Sequence, residues 1–227
     1  MSKHLLRKGF TWATEYGIRR IYKEMGLKGQ IPVFKTTRPG KNDVHKYPYL
    51  LRGRKIQYVN EVWATDITYI KLGSRMVYYT AIIDLRSRKI LSWRLSNTMS
   101  VDFCVEALLE AIENYGIPCI FNCDQGSQYT SKEFTSLLES FGIQVSMDGV
   151  GRCKDNIFVE RTWRTLKYEW IFLRDYQEYE TLERGLEEFV SFFNHERIHQ
   201  GLEYRTPDEV YEEGSFSYIA KDNNKVA

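Results

Sequence analysis

Apolar residues along this chain change rhythm at definite points, and those points mark its elements. From Thr14 to Leu27, Ile18, Ile21, Tyr22 and Met25 share one stripe at helical spacing, with Arg19, Arg20 and Lys23 off it and Gly26 and Gly29 closing the segment. Between Lys28 and Tyr58 the rhythm is lost, and Pro32, Pro39, Gly40, Pro48 and Gly53 among many basic residues predict an extended linker. Three strands follow closely: Val62 to Leu72, Arg75 to Leu85 and Lys89 to Leu95, separated by the turn signals Gly73-Ser74 and Arg86-Ser87-Arg88. Val101 to Asn114 predicts an amphipathic helix, with Val101, Val105, Leu108, Leu109 and Ile112 in phase. Cys119 to Cys123 reads as a short buried strand, Ser131 to Phe141 as a helix capped by Ser131, and Ile143 to Met147 as a fifth strand. After a glycine-containing loop, Gly149 to Cys153, come a long helix from Asn156 to Leu173, another from Glu178 to Asn194, and a short one from Pro207 to Glu213.

Strand-strand-strand-helix-strand-helix-strand-helix is the element order of the ribonuclease-H-like fold. The expected class is therefore α/β: a mixed five-stranded sheet with helices on both faces, preceded by a basic N-terminal helical arm. In that fold the middle of the first strand lies beside the end of the fourth, and the helix after the fifth strand passes over both.

Three acids fall on those three places. Asp66 is central in Val62-Trp63-Ala64-Thr65-Asp66-Ile67-Thr68-Tyr69-Ile70, Asp124 ends the fourth strand, and Glu160 lies on the long helix. Two aspartates from neighbouring strands and a helical acid suit a divalent cation, because Mg²⁺ takes oxygen ligands and keeps water and substrate phosphate in the rest of its shell. Such a site points to phosphodiester cleavage or transfer with two metals. Taken singly, each acid has an ordinary explanation: a core ion pair, a turn cap, an exposed helix acid. The segment after Asp124, Gln125-Gly126-Ser127-Gln128-Tyr129-Thr130-Ser131, is a polar loop whose amides, with Ser127 and Gln128, suit a phosphate. On the helix, Val159, Trp163, Leu166, Trp170 and Leu173 make a core stripe, while Asn156, Glu160, Arg164 and Lys167 share a polar one suited to a metal with DNA phosphate alongside. The plain alternative for Glu160 and Arg164 is a solvated ion pair one turn apart.

Charge sharpens the picture. The 227 residues carry a net +2, but Met1 to Asn60 holds fourteen Lys/Arg against three Asp/Glu, a net +11, and the remainder is −9. A basic arm ahead of an acidic body predicts a polyanion partner, since lysine and arginine displace counterions condensed on phosphates. Arg19, Arg20, Arg52, Arg54 and Lys55 belong to this arm and are expected to track DNA backbone without reading bases. No apolar run approaches a membrane span, and the first twenty residues are too polar for a signal peptide, so a cytoplasmic, nucleoid-associated protein with no membrane partner is expected. Of four cysteines, Cys119 and Cys123 have metal-like spacing but no completing ligands nearby, and Cys104 lies in an apolar helical stretch as a core residue. His195 and His199, four apart, have the spacing to ligate a metal on a helix, but the helix end beside Gly201 favours a polar loop that contacts DNA or holds the last helix.

The motifs together resemble the second-frame transposases of the insertion-sequence three family, with a retroviral-integrase-like catalytic core. The resemblance runs from about Asn60 to Tyr211. It rests on the Asp66 strand, Asp84-Leu85-Arg86-Ser87-Arg88, Asp124-Gln125-Gly126-Ser127-Gln128-Tyr129, Ser146-Met147, Gly151-Arg152-Cys153, Asp155-Asn156, Glu160-Arg161 and Leu166-Lys167. It continues through Asn194, Arg197, His199, Leu202, Thr206 and Pro207. It implies a catalytic, metal-binding triad of Asp66, Asp124 and Glu160 using two Mg²⁺, with Mn²⁺ able to substitute, and Lys167 on DNA. One departure stands beside the site: Asn122-Cys123 precede Asp124 where the family shows His-Ser. Upstream, only Glu15 to Ile31 resembles the end of the family's helical DNA-binding region. The division expected is 1–58 for arm and linker, 59–214 for the catalytic core, and 215–227 for a tail.

The function expected is a DNA transposase that cleaves and transfers strands at mobile-element ends. Its partners are terminal repeats and target DNA, further copies of itself, and a separately encoded first-frame helix-turn-helix protein. The alternatives are a non-catalytic DNA-binding transposon remnant and a ribonuclease-H-like nuclease that cuts without joining.

Overall fold

The computed structural model describes residues 1–27, 47–148 and 157–214. Five strands, β1 (Val62–Leu72), β2 (Arg75–Asp84), β3 (Ile90–Ser96), β4 (Ile120–Cys123) and β5 (Gln144–Met147), form one sheet ordered β3-β2-β1-β4-β5. The helices are α1 (Ser2–Arg7), α2 (Glu15–Glu24), α3 (Asp102–Tyr115), α4 (Lys132–Ser140), α5 (Ile157–Thr165), α6 (Tyr179–Ser191) and α7 (residues 207–214). The β1–β2 and β2–β3 pairs are antiparallel, whereas β1–β4 and β4–β5 are parallel. The sheet is mixed, as its element order predicts.

Local chemistry sets the turns. Leu72 pairs with Arg75, leaving only Gly73 and Ser74 to reverse the chain, and Gly73 takes the positive φ of 56° that such turns demand. At the next turn, buried Asp84 accepts the backbone N–H and the hydroxyl of Ser87 at 2.7 and 2.6 Å, and the N–H of Asn60 at 2.8 Å. Burial still raises the Asp84 carboxyl, with those three bonds opposing it.

Strand alternation sends side chains into two cores. Trp63, Ile82, Phe121 and Val145 pack against Phe103, Cys104 and Leu108 of α3 and Phe134 and Leu138 of α4. Val62, Ala64, Tyr79, Ile83 and Ile120 face Val159 and Trp163 of α5 and Leu182, Leu186 and Phe189 of α6. Each large apolar side chain withdrawn from water contributes about 1.5–3 kcal/mol, so the two faces are the main source of stability. Cys104 is 2% exposed, a core residue as expected.

Two helices depart from their sequence pattern. The segment expected as one helix from Asn156 to Leu173 is α-helical only to Thr165 among the described residues. It widens into a π turn over Leu166–Trp170 and tightens into a 3₁₀ turn over Ile171–Leu173. The wide turn lets Leu166 and Ile171, five apart, both face the core, and it delivers the Trp170 indole N–H to the Gly185 carbonyl at 2.7 Å. A second π turn, Phe192–Glu196, follows α6 and aims Asn194 at the edge strand β3. The Asn194 carboxamide accepts from the Ile90 N–H at 2.9 Å and donates to the Ile90 carbonyl at 2.8 Å.

The basic arm holds a helix its polar pattern did not announce, α1. Arg7 donates to the Tyr204 carbonyl and pairs with Glu209, tying the arm to the C-terminal segment. The linker expected from Lys28 lies outside the described residues as far as residue 46, as does the tail 215–227. No helix among the described residues is long and apolar enough to cross a membrane.

Candidate active site

Sheet register brings three carboxylates into a row. Ala64 pairs with Asn122, and Asn122 with Ser146. Two residues further along these parallel strands come Asp66, Asp124 and Asp148, and the two-residue period directs them to the face that α5 covers. Asp66 feels the result. Burial and then the charge of Asp124 push its carboxyl up to about 7; the Trp163 indole and the Ile67 N–H oppose them, and Asp148 adds a smaller push upward. The Trp163 Nε1–H donates to Asp66 Oδ2 at 3.0 Å, which places α5 across β1 at the acid.

Asp124 is held from its own loop. Its Oδ1 accepts the Gly126 N–H at 2.9 Å, a bond that lowers the carboxyl while burial raises it more. A Cβ at Gly126 would lie 2.9 Å from the same oxygen, so glycine is what lets the loop fold back onto the acid. Lys167, half-buried, is near enough for Asp66 to favour its charge, though burial lowers the ammonium overall. Glu160 stands one turn before Trp163 on α5, exposed; its partial burial raises its carboxyl, and it has no ion pair among the described residues.

The structure thus brings Asp66 and Asp124 together and puts Glu160 on the helix that crosses them. Among the described residues, no three acids, histidines or cysteines close to metal-holding distance. The donor set nevertheless fits a hard divalent cation: two mutually repelling carboxylates, all-oxygen, with one half-buried lysine as the nearby positive charge.

Other residues assigned from sequence are distributed unevenly. Ser127 is exposed beside the site. Gln128 is not available to a phosphate: it is buried, its Nε2 donates to the Met99 carbonyl at 2.7 Å, and its Oε1 accepts from Ser127 at 3.2 Å. Arg164, one turn after Glu160, lines a separate cleft with Arg161 and Tyr168. Arg19 and Arg20 pair along α2 with Glu15 and Glu24 at 2.5 and 3.4 Å, and Arg54 pairs with Glu61 at 2.9 Å. Arg52 and Lys55 are exposed. Asn156 and the loop 149–153 with Cys153 lie outside the described residues. His195 meets Asp208 at 2.8 Å, which holds α7, while His199 is buried against the Phe193 ring with centroids 4.9 Å apart.

Three supports escaped sequence reasoning. Asp148 has the same signature as Asp124, an acid directly after a short buried strand. Trp163 was assigned to the core stripe, yet a buried indole needs an acceptor for its N–H. Asn122 is fully buried; its oxygen accepts from the Ser146 hydroxyl at 2.8 Å and its amide donates to Asp148 Oδ1 at 2.9 Å. The Ser146 oxygen in turn accepts the Leu50 N–H at 3.0 Å, and Gln125 donates to the Asp148 carbonyl at 2.8 Å.

Comparison with known proteins bears on the family and the fold. Residues 57–153 and 141–207 match two family models, each described as an integrase core domain. The chain is 35% identical over 154 residues to the transposase for insertion sequence element IS904 of Lactococcus lactis, covering 65% of this chain and 60% of that protein. It is 30% identical over 192 residues to an uncharacterized transposase-like protein of Haemophilus influenzae, covering 84% and 89%. Its fold matches the HTLV-2 integrase catalytic core domain in complex with magnesium (dimeric form) with a TM-score of 0.55, at 20% identity, over 68% of this chain and 97% of that one.

Proposed function

The chain belongs to the insertion-sequence transposases built on an integrase core domain, and from that premise we propose that it cleaves and joins DNA strands at the ends of its own mobile element. One observation supports the reading most: Asp66 and Asp124 sit side by side on parallel strands with too little positive charge to balance them.

Asp66, Asp124 and Glu160 would hold two Mg²⁺ ions, with Mn²⁺ as a substitute. When bound, such cations supply positive charge at the scissile phosphate for in-line attack by water and then by a 3′-hydroxyl. The chain's own residues prepare the ground. Trp163 fixes the rotamer of Asp66, and the Gly126 N–H fixes Asp124. Lys167 sets an ammonium beside Asp66, where it meets the backbone phosphate of the bound strand. The buried bonds through Asn122, Ser146 and Asp148 keep the two parallel strands in step beneath the acids.

The substrates are the element's terminal repeats and a target duplex. The partners are further copies of this chain and a first-frame helix-turn-helix protein, and the place of action is the nucleoid. The division into an arm at 1–58, a catalytic core at 59–214 and a tail at 215–227 is part of the same proposal. The test is Glu160→Gln and Asp66→Asn on an element-end duplex in Mg²⁺ or Mn²⁺. Both should lose strand cleavage while remaining folded and keeping the DNA affinity of the parent. Cleavage retained by either variant removes that residue from the site, and cleavage by the parent without joining of 3′-hydroxyl ends leaves a nuclease.

A further inference from the structure

A second charged feature lies across α5 from the acids. At about 100° per residue, Phe158, Arg161, Thr162 and Thr165 fall on the side of α5 turned away from Glu160 and Lys167. They form one wall of a cleft of about 830 Å³ whose lining includes Arg88, Arg161, Arg164, Arg197 and His199. Among the described residues, the one carboxylate in that lining is Glu169, which Arg197 already binds through two bonds at 2.9 and 3.1 Å. No acid among the described residues pairs with Arg88, Arg161 or Arg164.

Two independent observations point to an absent anion. Arg88 lies 4.8 Å over the Phe158 ring and close against Gly201, and both its burial and the charge of Arg161 oppose its own positive charge. Like charges gathered in a half-buried place without a counter-ion are costly, and an anion between them removes the cost. His199 is 9% exposed, lines the same cleft, and its Nε2 has no hydrogen-bond partner among the described residues, a condition buried polar atoms rarely tolerate. Arg88 and His199 come from the second strand turn and the C-terminal loop, two motifs that the acid site does not use.

We infer that this cleft is a second nucleic-acid site, in which Arg88, Arg161, Arg164 and His199 hold the phosphodiester backbone of a DNA strand on the far side of α5 from Asp66. Guanidinium forks suit phosphate oxygens, and Tyr22 and Tyr168 in the same lining offer ring faces to a strand passing through. The described lining holds four arginines, Arg88, Arg161, Arg164 and Arg197, against the single carboxylate of Glu169, a balance that favours a polyanion. The inference rests on the reading of the chain as a DNA-processing enzyme.

The test uses the full chain carrying Asp66→Asn in a chelator, so that binding is read without turnover. Its probes are a short mixed-sequence DNA duplex, the corresponding single strand, and inorganic phosphate. Arg161→Gln and Arg164→Gln, both at exposed positions, should each weaken DNA binding several-fold and lower the salt slope of log K by about 1. The His199 imidazole resonances should move with DNA and, at higher concentration, with phosphate. Arg88→Gln should weaken binding further, and circular dichroism checks its fold, since Arg88 packs on Phe158. Unchanged affinity and slope in the Arg161/Arg164 double variant overturn the inference. So does a His199 signal that phosphate moves and neither DNA probe does, which assigns the cleft to a free phosphate compound. Either result leaves strand transfer by the acids standing, and loss of the strand-transfer reading leaves a positive cleft result intact.

Discussion

The indole N–H of Trp163 donates to Oδ2 of Asp66 at 3.0 Å, joining residues 97 positions apart in the chain. Trp163 is also packed edge-on against Tyr79, with ring centroids 5.5 Å apart, so one side chain ties α5 to the sheet by both apolar contact and a charge-assisted bond. Helix placement and acid orientation are therefore coupled.

Trp163→Phe separates the two roles, because it keeps a ring in the core and removes the donor. The bond favours charged Asp66, so its loss raises the Asp66 carboxyl further above about 7. We expect a destabilisation of about 1–3 kcal/mol and an acid limb of the cleavage profile moved to higher pH. Denaturant unfolding and a pH–rate profile measure these. An unmoved acid limb would show that Asp66 does not set it.

The same carboxyl makes metal-free stability depend on pH. Asp66 titrates near 7 in the fold against an ordinary 3.8, so the fold prefers its protonated form. That contribution is fully present below about 3.8 and is lost as pH rises through 7. In chelator the parent should melt a few degrees lower at pH 8 than at pH 6, and Asp66→Asn should flatten the difference. Added Mg²⁺ should narrow it in the parent and release protons on binding. A parent whose midpoint is equally steep after Asp66→Asn places the titrating group elsewhere.

Most of the sheet was legible because strand periodicity and turn residues are local signals. Val62 to Leu72 matches β1 residue for residue, and Gly73-Ser74 forms the turn it announced. What escaped was tertiary. The π turns at Leu166 and Phe192 answer to packing of Trp170 and Asn194, which no 3.6-residue pattern encodes. Asp66 was readable from the middle of the first strand and Asp124 from the end of the fourth, whereas Gln128 has the look of a phosphate ligand in sequence and its amide is bonded to Met99 in the fold. The arginine cleft was invisible in sequence, since Arg88 and His199 meet only through the fold.

Asn122 ties the two parallel strands together beneath the acids. Its carboxamide links Ser146 of β5 to the Asp148 carboxylate in a fully buried position, directly under the site. Asn122→Leu keeps the volume and removes both bonds, leaving one Asp148 oxygen without that donor. We expect a loss of about 2–4 kcal/mol, more than a neutral surface change by an order of magnitude. Cleavage should fall with it even at temperatures where the chain is folded, because the backbone carbonyl of the same residue, Asp148, holds Gln125 and the loop after β4. Urea midpoints with parallel cleavage assays decide this, and unaltered cleavage in a folded Asn122→Leu chain would leave the bonds purely structural.

Tyr79 offers the opposite case, a buried polar group whose removal should help. Its ring is enclosed between Trp93 and Trp163, at centroid distances of 5.8 and 5.5 Å, and is 0% exposed. Among the described residues its hydroxyl has no hydrogen-bond partner, and burial alone holds it protonated. Leaving a hydroxyl unpaired in an apolar core costs about 1–3 kcal/mol, while the ring supplies the packing that α5 needs. Tyr79→Phe should therefore keep the Trp163 contact intact and raise stability by about 1 kcal/mol, read as a higher melting midpoint with an unchanged denaturant slope. A lower midpoint would mean that the oxygen has a partner, such as an ordered water between β2 and α5, and that the core on this face is wetter than its apolar lining indicates.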